Sequence, residues 1–195
     1  MPHSLEHPDL AGGPPAATAD PFARNARGPA DAPVTLEMFG NYECLHCRRA
    51  YPEVAALIDA AGADRVRFVY HHHAPPADFP HAELAAEAAE AAAAQGAFWP
   101  MHDLLMTAAP ALHPELLVAV AETAGLDVAA VRAALRDHRF RPLVEADTAH
   151  ALDRGVRATP TFVVNGTPVP RGWDMSVVAR AVDEALGRVG GARDG

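Results

Sequence analysis

The sequence of 195 residues contains no lysine and only two cysteines. It also lacks an apolar run of the roughly 20 residues that a membrane-spanning helix needs, so we expect a soluble protein with no membrane partner. All 16 basic residues are arginine, and the net charge of −9 argues against a basic surface that binds nucleic acid. Two cysteines are too few for a multi-bridge disulfide scaffold or a four-thiolate zinc site. The length fits a single domain.

Both ends of the chain have the composition of segments without regular structure. Residues 1–33 are rich in proline, glycine and alanine and hold few large apolar side chains, which predicts a disordered lead-in. A secretory signal has a basic start followed by about 7–15 apolar residues, and this segment has neither, so we expect a cytoplasmic protein. Residues 188–195 are rich in glycine, and we expect a frayed tail there.

The central part of the chain, residues 34–187, has the apolar pattern of one α/β domain. A helix between two strand-like segments predicts a parallel pair of strands. Asn165-Gly166 predicts a tight hairpin, and Pro168 places its second strand at a sheet edge. Between about residues 79 and 155 only helical spacing recurs, which indicates an all-helical insert of about 75 residues between the second and third strands. The predicted order is β-α-β, helical insert, β-β-α, with strands at 34–39, 66–70, 161–164 and 167–169, and flanking helices at 44–61 and 176–186.

The two cysteines belong to one motif, Cys44-Leu45-His46-Cys47, at the predicted start of the first helix. Side chains at positions i and i+3 of a helix lie on the same face, close enough to form a short disulfide. The positive end of the helix dipole favours an anion, so we expect Cys44 to ionise more easily and to act as the nucleophile. Cys47 would then resolve the mixed disulfide, and His46 would favour the thiolate through a hydrogen bond or a positive charge.

Other interpretations of the motif remain open at this stage. A Cys2His2 zinc site is conceivable, because several histidines lie nearby in sequence. The pair could also form a structural disulfide, remain two inert thiols, or serve a non-catalytic redox sensor or a metal-binding or partner-binding module. The histidines considered as zinc ligands are His46, His71, His72, His73 and His81.

Thr159-Pro160 stands immediately before the third predicted strand, and X-Pro bonds are the ones that adopt the cis form at low cost. Together with the Cys44-Leu45-His46-Cys47 motif, Pro52 inside the first helix and the order of elements, this dipeptide resembles the DsbA-like branch of the thioredoxin superfamily. The resemblance extends from about residue 33 to residue 186. It also includes the segments 28–34, 81–102 and 160–166.

This resemblance implies a thioredoxin-like fold and a thiol-disulfide oxidoreductase that needs no metal, flavin or nucleotide. It implies that Pro160 lies in a cis-proline loop beside the sulfurs and that Thr159 offers its backbone to a bound substrate. We add Leu45 as a third residue of the substrate-binding surface. The expected partners are a protein, peptide or small molecule that carries a thiol or a disulfide, and a separate redox partner.

The sequence departs from the family pattern at two positions. Leu45 stands where many relatives have proline, so the redox potential of relatives does not transfer. Met38 stands where many relatives carry a buried acid, and Glu37 is one residue earlier. Because neighbouring residues of a strand point to opposite faces, Glu37 either faces solvent or is returned to the cysteine side by a bulge. In a reducing cytosol we expect a reductase, a repair protein or a sensor.

Overall fold

The structure, a computed structural model, describes residues 21–75, 79–108, 112–170 and 174–191. A five-stranded sheet has the order β1-β3-β2-β4-β5. The strands are β1 (Ala26–Arg27), β2 (Val34–Gly40), β3 (Val66–His72), β4 (Thr161–Val164) and β5 (Thr167–Pro168). The helices are α1 (Leu45–Ala61), α2 (Ala82–Ala93), α3 (Phe98–Thr107), α4 (Pro114–Thr123), α5 (Val128–Arg136), α6 (Arg141–Asp153) and α7 (Met175–Gly191). A short 3₁₀ helix, Pro21–Ala23, precedes β1.

The two central strands, β2 and β3, are parallel and are joined by α1, as predicted. The apolar side chains of β2 are divided between two clusters, one on each face of the sheet. Leu36 belongs to the cluster that contains Val178 of α7, and Phe39 belongs to the cluster that contains Ala151 of α6. Both faces of the sheet are therefore covered by helices, which is why these strands are buried along almost their whole length.

The hairpin from β4 to β5 forms as the sequence predicts. Asn165 and Gly166 have φ angles of 46° and 78°, the left-handed conformation that a tight two-residue turn requires. Pro168 lies on the outermost strand, where its missing N–H leaves no gap in a hydrogen-bonded ladder. The antiparallel pairing of β4 with β2 then brings Thr161 opposite Phe39.

The segment between β3 and β4 contains five helices within its described residues, α2 to α6. Helix α2 packs against the other four. Its buried face is largely alanine, including Ala85, Ala88 and Ala92, and small side chains let neighbouring helices approach closely. The predicted α/β architecture with an all-helical insert is confirmed. Within the described ranges, no helix combines the length and the apolar composition needed to cross a membrane.

Residues 21–33, predicted as part of the lead-in, contribute to the fold. β1 extends the sheet by pairing antiparallel with β3. The Arg24 guanidinium binds both carboxylate oxygens of Asp147, at 2.7 and 2.9 Å, and also bonds to Glu90. Asn25 donates to Glu90 at 2.7 Å. The scarcity of apolar residues suggests disorder, but this segment is held by a buried ionic cluster and by a two-residue strand, and neither requires large apolar side chains.

The predictions for the two ends fall partly outside the described residues. Residues 1–20 and 192–195 are not among them, so the disordered lead-in and the frayed tail stay predictions there. Helix α7 continues to Gly191, further than the helix predicted at 176–186.

Replacing Arg24 tests the ionic cluster. The Arg24→Met variant leaves two buried carboxylates without their cation, so we expect the free energy of unfolding to fall by about 3 kcal/mol in urea denaturation. Arg136→Met is the control, because Arg136 pairs with Asp137 at the exposed surface, where such pairs contribute about 0–1 kcal/mol. Equal unfolding midpoints for Arg24→Met and the unmodified protein would contradict the stabilising role of the cluster.

Candidate active site

Cys44 caps the N-terminus of α1. Its backbone is extended, with φ −68° and ψ 113°, and its N–H donates to the side-chain oxygen of Asn41 at 2.8 Å. Cys47 lies one turn further along the helix and is fully buried, and both thiols are free. The prediction that both cysteines lie at the start of the first helix is confirmed.

The loop that precedes β4 lies against the Cys44 thiol. Cys44 Sγ lies 3.4 Å from the carbonyl oxygen of Thr159, to which it donates when protonated, and the peptide bond between Thr159 and Pro160 is cis. Pro160 is buried and Thr159 is half-buried. This contact follows from the sheet, because the pairing of β4 with β2 holds the start of β4 beside the end of β2, from which the chain leads into α1.

The two thiols have opposite electrostatic environments. A hydrogen bond from the Cys47 thiol lowers the pKa of Cys44 to about 5, outweighing burial and assisted by the Thr159 hydroxyl and by the backbone N–H groups of Cys47 and His46. Burial raises the pKa of Cys47 well above its usual value, and the neighbouring Cys44 raises it further. At neutral pH one sulfur is therefore an anion and the other a thiol.

Cys44 is buried, at 4% exposure, but the two residues that follow it, Leu45 and His46, are exposed. Leu45 exposes 54% of its side chain, which makes it one of the few exposed large apolar residues among those described. The His46 side chain is also exposed, and the hydrogen bond that His46 contributes to Cys44 comes from its backbone. The structure thus brings Thr159, Leu45 and both cysteines together, with the His46 imidazole on the outside.

Two functional neighbours of the thiols were not predicted. A Cβ atom at Gly40 would lie 3.1 Å from Cys47 Sγ and 3.3 Å from the ring of Tyr70, so only glycine fits without displacing the sulfur. Asn41 bonds to the Cys44 backbone through its side chain. Asparagine side chains often bond to backbone N–H groups a few residues further along the chain, and sequence reasoning could have used this tendency.

Glu37 does not replace the buried acid that is missing at Met38. The register of β2 against β3 is continuous from residue 34 to residue 40, so no bulge turns Glu37 toward the cysteines. Glu37 is nevertheless buried, and its carboxylate bonds to His71 at 3.0 Å and to Arg154 at 2.5 Å. Burial alone would raise the pKa of Glu37, but these two partners lower it to about 2. Met38 is fully buried on the cysteine side.

Two of the five histidines predicted as possible zinc ligands, His71 and His72, bind carboxylates. His71 Nε2 lies 3.0 Å from Glu37, and His72 Nε2 lies 2.9 Å from Glu90. Among the described residues, the one group of metal-ligand side chains that converges is His72, Glu90 and Asp147. Both carboxylates of that group already bind the Arg24 guanidinium, and neither cysteine belongs to it.

Comparison with known proteins identifies the family. The sequence pattern of the thioredoxin family matches residues 23–184. A thioredoxin-like oxidoreductase from Silicibacter pomeroyi is 32% identical, with a TM-score of 0.73 over 86% of this chain and 94% of that chain. BdbD from Bacillus subtilis, in its oxidised form, has a TM-score of 0.76 at 24% identity over 83% of this chain and 92% of its own. The chain belongs to the thioredoxin family, and its fold is similar to that of BdbD.

The curated relatives are longer proteins. The Na⁺/H⁺ antiporter NhaA 1 of Salinispora arenicola is 39% identical over 167 residues, which are 86% of this chain and 25% of the antiporter. The Na⁺/H⁺ antiporter NhaA of Herminiimonas arsenicoxydans is 37% identical over 84% of this chain and 26% of its own length. The chain therefore spans about a quarter of the length of these relatives.

The prediction of a cytoplasmic protein is wrong. The curated relatives are named as Na⁺/H⁺ antiporters, which exchange ions across a membrane. The prediction rested on the composition of residues 1–33. In the antiporters, the matching residues are about a quarter of the protein, and segments elsewhere determine its location. The composition of residues 1–33 is therefore not a guide to the location of this protein.

The lowered pKa of Cys44 gives a testable pH dependence. The thiolate is the reactive form, so the rate of Cys44 alkylation by iodoacetamide should rise with pH through a midpoint of about 5 and then level off. In Cys47→Ala the midpoint should move upward, because the strongest hydrogen bond to the thiolate is lost. A midpoint near about 8.5, the value of an ordinary cysteine, would contradict the assignment.

Proposed function

We propose that this protein is a thiol-disulfide oxidoreductase in which Cys44 is the nucleophile and Cys47 the resolving cysteine. The observation that carries this proposal is the asymmetry of the two thiols. Cys44 caps a helix, contacts Thr159 and has a pKa of about 5, whereas Cys47 is buried with a raised pKa. Cys44 is also buried, at 4% exposure against 0% for Cys47, so the sulfur that ionises more easily is the less deeply buried of the two.

The reaction uses only the two sulfurs of the protein. The Cys44 thiolate attacks one sulfur of a substrate disulfide, the substrate S–S bond breaks, and the departing thiolate takes up a proton. Cys47 then loses its proton and attacks Cys44 Sγ. This step releases the second substrate thiol and forms the Cys44–Cys47 disulfide, so two electrons have passed to the substrate. The reverse sequence oxidises a substrate dithiol.

Substrate binding is assigned to the surface beside Cys44. A segment that carries the reacting sulfur would lie along the residues before β4, where the backbone of Thr159 is available next to Pro160. The exposed Leu45 side chain, next to Cys44 in sequence, offers an apolar contact. The partners are then proteins, peptides or small molecules with a thiol or disulfide, together with a redox partner that restores the starting state.

The direction of net transfer follows from the stability of the reduced form. A thiolate whose pKa lies well below the ambient pH stabilises the dithiol state relative to the disulfide, which makes the disulfide form a stronger oxidant. The low pKa of Cys44 therefore favours oxidation of partner dithiols. The expectation of a reductase rested on a cytosolic location and loses that support.

Single cysteine variants test the assignment of roles. Cys44→Ala should lose all insulin reduction and all oxidation of a dithiol peptide, because the accessible nucleophile is gone. Cys47→Ala should keep the attack but accumulate a mixed disulfide with the substrate, detected as an added mass on Cys44. Full turnover by Cys44→Ala would overturn the proposal.

A second candidate function is a non-catalytic redox module that acts on an ion transporter. The observation that favours it is the match to a quarter of the length of Na⁺/H⁺ antiporters. Such a module should equilibrate with glutathione buffers through a two-electron change at Cys44 and Cys47. It should oxidise or reduce peptides no faster than glutathione alone, whereas an oxidoreductase should exceed that rate at least about tenfold. Turnover of a dithiol peptide against the glutathione-only reaction decides between the two.

A further inference from the structure

We propose that Asn41 is a positioning residue for thiol-disulfide exchange, because its side-chain amide holds the helix start at Cys44 and the Thr159 hydroxyl in one fixed arrangement. The inference deepens the proposed function and rests on it. Asn41 is 1% exposed, and it lies directly after β2 in the turn that leads to α1. It does not touch a substrate position and acts through the two residues that do.

The Asn41 amide makes three hydrogen bonds, which use both of its N–H donors and its carbonyl oxygen. Its Oδ1 accepts from the Cys44 N–H at 2.8 Å. Its Nδ2 donates to the His73 carbonyl oxygen at 3.1 Å and to the Thr159 hydroxyl oxygen at 3.4 Å. The reversed orientation of the amide would set N–H against N–H at Cys44 and oxygen against oxygen at His73, so only one orientation is compatible with its neighbours.

The bond from Asn41 also determines what the Thr159 hydroxyl can do. A hydroxyl has one hydrogen to donate, and a donor that occupies its oxygen leaves that hydrogen for another acceptor. The Thr159 hydroxyl lowers the pKa of both Cys44 and Cys47, and its one hydrogen serves whichever of the two sulfurs carries the negative charge. Asn41 therefore fixes a donor toward the atom on which negative charge develops.

Asn41 reaches the second sulfur as well. Its own backbone N–H bonds to Cys47 and favours ionisation of that thiol. The side chain and backbone of one residue thus connect both cysteines to Thr159. The three partners of the Asn41 side chain, Cys44, His73 and Thr159, are 3, 32 and 118 positions away in sequence. A short apolar side chain would fill part of the space and would make none of these bonds.

Two substitutions at Asn41 separate its acceptor from its donors. Asn41→Ala removes both. Asn41→Asp has nearly the same shape and keeps the acceptor for the Cys44 N–H, but it loses the donors and places a carboxylate beside the Cys44 thiolate. Like charges raise the pKa of an acid, so the aspartate variant should shift the pKa of Cys44 further than the alanine variant does.

The experiment measures the pKa of Cys44 from iodoacetamide alkylation against pH, with urea unfolding of each variant as the measure of stability. We expect Asn41→Ala to raise this pKa by about one unit, so that the thiolate fraction at acidic pH falls about tenfold. Asn41→Asp should raise it further. Asn25→Ala is the matched control, because Asn25 is also buried and hydrogen-bonded but contacts Glu90 instead of the thiols.

The control variant should lose stability and keep the pKa of Cys44 unchanged. An unchanged pKa in folded Asn41→Ala and Asn41→Asp, or an equal shift in Asn25→Ala, would overturn the positioning role. If Asn41→Ala fails to fold, the neutral Asn41→Ser variant takes its place, because a shift in Asn41→Asp also follows from the added charge alone. Alkylation needs no substrate disulfide, so a protein that fails to exchange with insulin refutes the proposed function while the Asn41 comparison still gives its own answer.

Discussion

The contact between the start of α1 and the loop before β4 is the constraint on which the site depends. Cys44 Sγ and the Thr159 carbonyl oxygen meet at 3.4 Å although 115 positions separate them in sequence. The sheet makes this possible, because β4 pairs with β2 and the helical insert returns the chain to that strand. The contributions of Thr159 to the pKa of both thiols, and its contact with Cys44 Sγ, require these two segments to stay together.

Much of this architecture is visible in the sequence because it follows from periodicity and turn chemistry. The parallel pair, the hairpin at Asn165-Gly166 and the helical insert each have a local signal, and the structure contains all of them. Strand alternation also predicts that Glu37 and Met38 face opposite sides of the sheet, and Glu37 indeed bonds to His71 and Arg154, away from the cysteines.

The features that sequence reasoning missed are individual long-range polar contacts. Arg24 reaches Asp147 across 123 positions, and Asn41 reaches Thr159 across 118, and no hydrophobic period records either pair. Gly40 is a further case, because its need for a small side chain comes from Cys47 and Tyr70 packed over it. Burial makes such contacts specific, since a buried polar group without its partner costs about 1–3 kcal/mol, yet composition does not show which partner satisfies it.

Because Met38 has no carboxylate, the pKa of Cys47 depends on burial and on contacts with Cys44, Asn41 and Thr159. Burial raises that pKa, and so do the hydrogen bond and the charge of the Cys44 sulfur, whereas the Asn41 N–H and the Thr159 hydroxyl lower it. In the proposed exchange, formation of the mixed disulfide removes the negative charge from Cys44. Both contributions from Cys44 then disappear while the two lowering contacts remain. Burial, the largest cause of the raised pKa, remains, but Cys47 becomes easier to ionise at the step in which it must attack.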